Sequence, residues 1–187
     1  NDALREAIKG SDFDSGNDTG FITGKPFMEG WIATNLQGGA YYPVNRGNYK
    51  TPAQMVQYVE AHDNLTLYDK LKVSLPWDDE DFRMRRHLLA SSFVLLSQGI
   101  PFIHAGQEFM RTKNGLENSY NAPDSINRMD WHRRSEMKQA VDYMKGLIAL
   151  RKHEPLFRLR TIDEVKEHMN ILKADYQIVV YQLEDTE

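Results

Sequence analysis

A chain of 187 residues, 41% hydrophobic and 27% charged, has the composition of a globular protein and is long enough to bury a sizeable core. A net charge of −4 without any basic block argues against nucleic acid and anionic membrane as main partners and suits a neutral ligand such as a sugar. With no cysteine there is neither a disulfide framework nor a thiolate zinc site, and no apolar run approaches the ~18 residues of a membrane span.

The opening Asn1-Asp2-Ala3-Leu4-Arg5 has no Met and no signal-peptide pattern. The last residues follow directly on a strand-like run. Both ends therefore read as cut from something longer, and an extracellular and a cytoplasmic bacterial location are both open. Residues 10–30, rich in Gly, Asp, Ser and Asn, read as a long loop. Asp12, Asp14 and Asp18 raise calcium as a possible ligand, but the closing Glu of an EF-hand loop is missing, so a solvated loop is expected and no cofactor is required.

Residues 54–60 form a β-prone run read as a strand. A helix is expected over 79–98, with Phe82, Leu89, Phe93 and Leu96 on one face. Acidic residues 78–81 suit its positive end, and Gly99 ends it. Residues 100–105 read as a second short strand, with Pro101 tolerated near its start. A polar loop is expected over 107–131. A second helix follows over 135–152, with Met137, Val141, Met144 and Ile148 on one face. Strand, long loop, helix, twice over, is the rhythm of an α/β barrel or a doubly wound sheet. The pattern then changes: Tyr176, Ile178 and Val180 alternate with Val179, Tyr181 and Leu183, as in an antiparallel strand of a new β module. The expected division is 1–157 and 158–187.

Polar residues cluster after both expected barrel strands, where an α/β barrel builds its active site. After the first come Glu60, His62, Asp63 and Asn64. A carboxylate there, flanked by an imidazole and an amide, can hold sugar hydroxyls or stabilise an oxocarbenium-like transition state; an Asp capping a turn beside a packed His is the plainer alternative. After the second come Gln107, Glu108 and Arg111, then residues 118–131, where Tyr and Trp faces mix with Asp, Asn and Arg. That mixture matches a hexose, and equally a loop with a surface Arg–Asp pair. His104, inside an apolar strand, is expected to be a packed core histidine. His87, His132, His153 and His168 are expected to be solvated. No histidine pair has the spacing of a zinc helix, and there is no phosphate loop, dinucleotide fingerprint or nucleophile elbow.

The run Tyr58-Val59-Glu60-Ala61-His62-Asp63-Asn64-Leu65-Thr66-Leu67-Tyr68-Asp69-Lys70-Leu71 resembles the His-Asp motif ending the seventh barrel strand in the α-amylase superfamily, in the form typical of type I pullulanases. Gly99-Ile100-Pro101-Phe102-Ile103-His104-Ala105-Gly106-Gln107-Glu108-Phe109 is similar to the eighth strand. Arg111-Thr112-Lys113, Asn118-Ser119-Tyr120-Asn121 and the stretch from Asp124-Ser125-Ile126-Asn127 to Asp130-Trp131 resemble the loop after it. The first ten residues resemble the segment following the general-acid strand.

The resemblance implies the C-terminal part of a (β/α)8 barrel followed by the start of an antiparallel β domain. It implies hydrolysis of α-1,6 linkages in pullulan and branched α-glucans with retention of configuration. Asp63 carries over as the transition-state stabiliser, His62 and Asn64 as sugar contacts at the cleavage point, and Asp124 and Arg128 as a pair contacting the next sugar. The nucleophilic Asp of the fourth strand and the general-acid Glu of the fifth have no counterpart here. A part-barrel leaves open edges, so this segment is expected to need the remainder of the barrel as partner and to be inactive alone. An isoamylase-like or other debranching enzyme, and a non-catalytic α-glucan-binding segment, are the alternatives.

Overall fold

The structure, a computed structural model, describes residues 1–13, 18–41 and 49–185. Eight α-helices and four strands follow in order among the described residues: α1 (Asp2–Lys9), α2 (Glu29–Leu36), β1 (Val56–Gln57), α3 (Leu67–Ser74), α4 (Glu80–Leu96), β2 (Ile100–Pro101), α5 (Asp124–Asn127), α6 (Trp131–Glu136), α7 (Lys138–His153), α8 (Ile162–His168), β3 (Met169–Asp175) and β4 (Ile178–Leu183). Side chains that accept from free amides start several of the helices. Thr66 takes the Asp69 N–H for α3 and Asp79 the Phe82 N–H for α4. Asp130 takes the His132 and Arg133 N–H groups for α6, and Thr161 and Glu164 form a capping box on α8.

β1 and β2 lie parallel, Val56 opposite Ile100 and Gln57 opposite Pro101. The expected strand over 54–60 is shorter because its first residues do other work. Pro52–Gln54 is a 3₁₀ turn in which the Gln54 amide oxygen accepts from the Lys50 N–H at 2.6 Å. The ladder bonds run from Ile100 N to Met55 O (2.9 Å) and from Phe102 N to Gln57 O (2.8 Å). The chain enters β2 through Gly99 at φ +104°, where a Cβ would meet the Met55 carbonyl oxygen at 2.7 Å, so only glycine fits this close approach.

α4 runs where a helix was expected, but its buried stripe differs. Phe82 is 54% and Leu89 43% exposed, whereas Arg83, His87, Leu88, Ala90, Ser91, Ser92, Val94 and Leu95 are buried. The helix serves two cores at once. Ala90 and Val94 join Leu4, Ile8, Ile32, Leu36, Val59, Leu67 and Leu71 on one side; Leu88 and Leu95 join Tyr68, Met110, Ala140, Met144 and Leu147 on the other. Ser91 and Ser92 can be buried between them because their hydroxyls donate to the His87 and Leu88 carbonyls one turn back, at 3.0 and 2.8 Å.

The expected helix over 135–152 is two helices. Asp130 starts α6 inside the region expected to be loop, and the helical run is interrupted at Met137 before α7. α7 buries Ala140, Val141, Met144, Leu147 and Arg151, while Ile148 is exposed. Arg151 closes the packing against α4: its guanidinium donates to the carbonyls of Leu95 (2.8 Å), Ser97 (2.7 Å) and Gly99 (2.8 Å), filling acceptors that the helix end leaves open. β3 and β4 form an antiparallel hairpin whose turn residues Tyr176 and Gln177 both have positive φ. Val179, Tyr181 and Leu183 pack inward on the first core, and Ile178 and Val180 face out, as the alternation predicts; Tyr176 belongs to the turn.

His87, expected to be solvated, is buried on α4, with Nε2 donating to the Gln107 carbonyl at 2.8 Å and Nδ1 without a partner. His132 and His153 are exposed and His168 is partly covered.

Two outcomes are expected. Replacing Arg151 with Met strands three carbonyls and should lower stability by about 3 kcal/mol, read from the urea midpoint. Burial pushes the His87 imidazole below its ordinary value of 6.5. The unfolded chain then takes up a proton that the folded one refuses. Stability is full above about pH 6.5 and falls as the pH drops toward the lower folded value. His87→Gln should flatten that part of the acid limb in melting experiments.

Candidate functional site

The carboxyl end of β1 leads through Tyr58, Val59 and Glu60 into a tight turn bearing His62, Asp63 and Asn64, then directly into α3. Asn64 takes the left-handed conformation at φ +64°, which Asn tolerates better than most residues. The His62 and Asp63 side chains are 83% and 75% exposed, and Nε2 of His62 lies 3.4 Å from the Asp63 carboxylate. Asp63 and Asn64 line a cleft of about 310 Å³ together with Asp2, Arg5, Asp12, Phe13 and Tyr58.

Beneath these exposed side chains the turn is held by buried charge. Glu60 is 1% exposed; one carboxylate oxygen accepts the Leu67 N–H and the other meets Nδ1 of His104 at 3.2 Å. The strand expected over 100–105 ends at Pro101, so His104 lies beyond it, but it is hydrogen-bonded as expected. From the other side Lys113, 1% exposed, donates its ammonium to the His62 carbonyl (3.0 Å) and to the Glu117 carbonyl (3.2 Å). The backbone N–H of Lys113 donates in turn to Asp69 on α3 at 2.7 Å, and the Thr112 hydroxyl donates to the same carboxylate. Burial pushes the pKa of Lys113 down from its ordinary value.

The cleft wall is also ionic. Asp12 pairs with Lys9 at 2.8 Å and Arg5 at 3.8 Å, and Asp18 with Lys25 at 3.1 Å; Asp14 lies outside the described residues. The two described aspartates of the calcium expectation are therefore committed to cations, and no group of three or more metal-binding side chains occurs among the described residues. Arg5 donates to the Tyr58 hydroxyl at 3.1 Å, and that hydroxyl donates to Asp2. Desolvation and the Asp2 carboxylate push the Tyr58 pKa up to about 12, so the phenol stays a neutral donor.

Asp124 and Arg128 open and close the one-turn helix α5, joined by the Arg128 N–H to Asp124 carbonyl bond at 2.8 Å. Both side chains are exposed and neither lines the cleft beside Asp63. The segment is tied to the loop that follows β2 by Arg111, which donates to the Asn127 carbonyl at 2.6 Å. Sequence reasoning named the exposed residues but missed Glu60 and Lys113 as their supports. The available signal was a lone acid in the apolar run Val59-Glu60-Ala61.

Polar side chains that follow β1 thus share a cleft with those of α1, while Tyr120 and Trp131 are exposed outside it. No protein-family model matches the chain. The pullulanase of Bacillus subtilis (strain 168) is 40% identical over 185 residues, 99% of this chain and 26% of that protein. A crystal structure of the Paenibacillus barengoltzii pullulanase in complex with maltohexaose and α-cyclodextrin superposes with a TM-score of 0.93 at 46% identity, over 99% of this chain and 29% of that one. The type I pullulanase of Bacillus subtilis complexed with maltose gives 0.94 at 40% identity, over 99% and 26%. The chain is a pullulanase homologue along nearly its whole length, and it spans about a quarter of the length of that curated Bacillus relative.

Lys113→Met should leave the His62 carbonyl without its buried donor. Amide hydrogen exchange over residues 61–66 is expected to quicken by about tenfold, equivalent to about 1.4 kcal/mol; unchanged protection there would show that the ammonium does not hold the turn.

Proposed function

We propose that this chain is the C-terminal portion of the catalytic domain of a debranching glycoside hydrolase that cleaves α-1,6 linkages in pullulan and branched α-glucans with retention of configuration. Residues 1–157 belong to its (β/α)8 barrel and 158–187 begin a C-terminal β domain. The observation that carries this reading is the placement of Asp63: an exposed carboxylate at the end of a parallel strand, beside His62, at the mouth of a polar cleft.

In this reading Asp63 faces the positive charge that develops on the sugar as the glycosidic bond opens. A fixed carboxylate stabilises that charge without reacting itself. His62 and Asn64 hold hydroxyls of the same sugar, and Asp124 with Arg128 contacts the next one. The nucleophile and the general acid, about 5 Å apart in a retaining enzyme, come from barrel strands outside this segment. Val56, Ile100 and Phe102 on the strand pair are exposed, which supports a further layer of protein against it. The complexes of the solved relatives with maltohexaose and maltose support an α-glucan as ligand.

Reducing-sugar release from pullulan tests the proposal. The segment alone should release none, and the segment combined with the preceding part of its barrel should be active. In the full-length protein Asp63→Asn should lower kcat by about 10²–10³-fold. Full activity of that variant would end the assignment of Asp63. Preference for glycogen over pullulan would move the reading to an isoamylase-like enzyme, and affinity without turnover to a glucan-binding segment.

A further inference from the structure

The Asp63 carboxylate is held by little of its own. It is mostly exposed, and its one ion pair among the described residues is with His62, itself exposed. Its position therefore follows from the backbone of the turn, and the turn is closed from below by Glu60. Glu60 lies three residues before Asp63 and Leu67 four residues after it. The bond from the Leu67 N–H to the Glu60 carboxylate closes the loop on which Asp63 sits.

The second oxygen of Glu60 ties that loop to the neighbouring strand through His104. A carboxylate can only accept, so Nδ1 of His104 carries the hydrogen. His104 is itself fixed, its N–H donating to the Gln107 side-chain oxygen at 3.3 Å. The Gln107 amide donates onward to Ser91 of α4 at 3.0 Å, and His87 of α4 donates to the Gln107 carbonyl. A continuous set of buried hydrogen bonds thus runs from the middle of α4 to the closure of the Asp63 loop, and each link except the half-buried His104 is nearly or fully inaccessible to water.

We infer that Glu60 is a positioning residue for the reaction: by reaching both the Leu67 N–H and His104 it sets the height and direction of Asp63 toward the sugar. This rests on the proposed role of Asp63. What matters in this inference is the reach of the Glu60 side chain rather than its charge. Two substitutions separate reach from charge. Glu60→Gln keeps the length: the amide oxygen accepts from Leu67, and the amide N–H faces Nδ1 of His104, which accepts in its other tautomer. Glu60→Asp keeps the charge but is shorter by one carbon–carbon bond, about 1.5 Å.

The experiment is steady-state pullulan hydrolysis by the full-length protein and its Glu60→Gln, Glu60→Asp and Asp63→Asn variants, with kcat normalised to the folded fraction from thermal melting. Glu60→Gln should retain kcat within about fivefold. Glu60→Asp should lose on the order of 100-fold, as expected for misplacing a catalytic group by about 1 Å, with KM within about threefold. The reverse order, with Asp active and Gln impaired, would mean that charge is what counts and would overturn the inference. So would equal loss in both variants, or full activity in both. If Asp63→Asn itself keeps full activity, the reading of the site fails first, and that result is separate from any ranking of the two Glu60 variants.

Discussion

The Glu60 carboxylate sits out of water at the end of β1, where an unmatched charge would cost several kcal/mol. Its two oxygens are matched by a backbone N–H from the start of α3 and an imidazole beyond β2. Meeting that demand fixes how the first strand, the following helix and the second strand stand relative to one another. Most of what the cleft presents to solvent depends on this arrangement. Lys113 repeats the theme with the opposite sign, an ammonium satisfied by the carbonyls of two different loops.

The apolar packing is organised around α4 for a related reason. A helix covered on one side can leave its polar residues facing water, but α4 lies between two cores. Most of the polar groups on its buried sides are satisfied within the protein. Ser91 and Ser92 turn back on their own helix, and Arg83 reaches Glu80 and the Asp78 carbonyl. The free carbonyls at its end are taken by Arg151 from α7.

Elements with strong local signals were legible in the sequence: the position of α4, the start of β2 (which ends at Pro101, short of the expected 105) and the inward–outward alternation of β4. The placement of His62, Asp63 and Asn64 just after β1 could also be read, because it follows from the local sequence. What was not legible depends on partners distant in the chain. The buried face of α4 could not be read from periodicity, because a helix packed on both sides has no single apolar stripe. Solvated His87 was the natural reading of a histidine among arginines, and only the Gln107 carbonyl, twenty residues on, makes its burial possible. The helices α1, α2, α3 and α8 were not assigned at all. α3 buries charged residues, with Lys70 bonded to the Ser11 carbonyl and Asp69 to the Lys113 N–H, and this masks the pattern by which an amphipathic helix is recognised; α1 shows Leu4, Ala7 and Ile8 on one face but spans only two turns.

Arg151, Lys113, Arg133 and Gln98 share a habit: each donates to main-chain carbonyls, of Leu95, His62, Met110 and Leu156 among others. A carbonyl is present whatever side chain its residue bears. The residue that receives the bond can therefore change identity over evolutionary time without loss of the contact, while the donor cannot. A substitution at a receiving position leaves such a bond in place, and one at the giving position removes it. A framework tied in this way can drift far in sequence while its backbone stays in register.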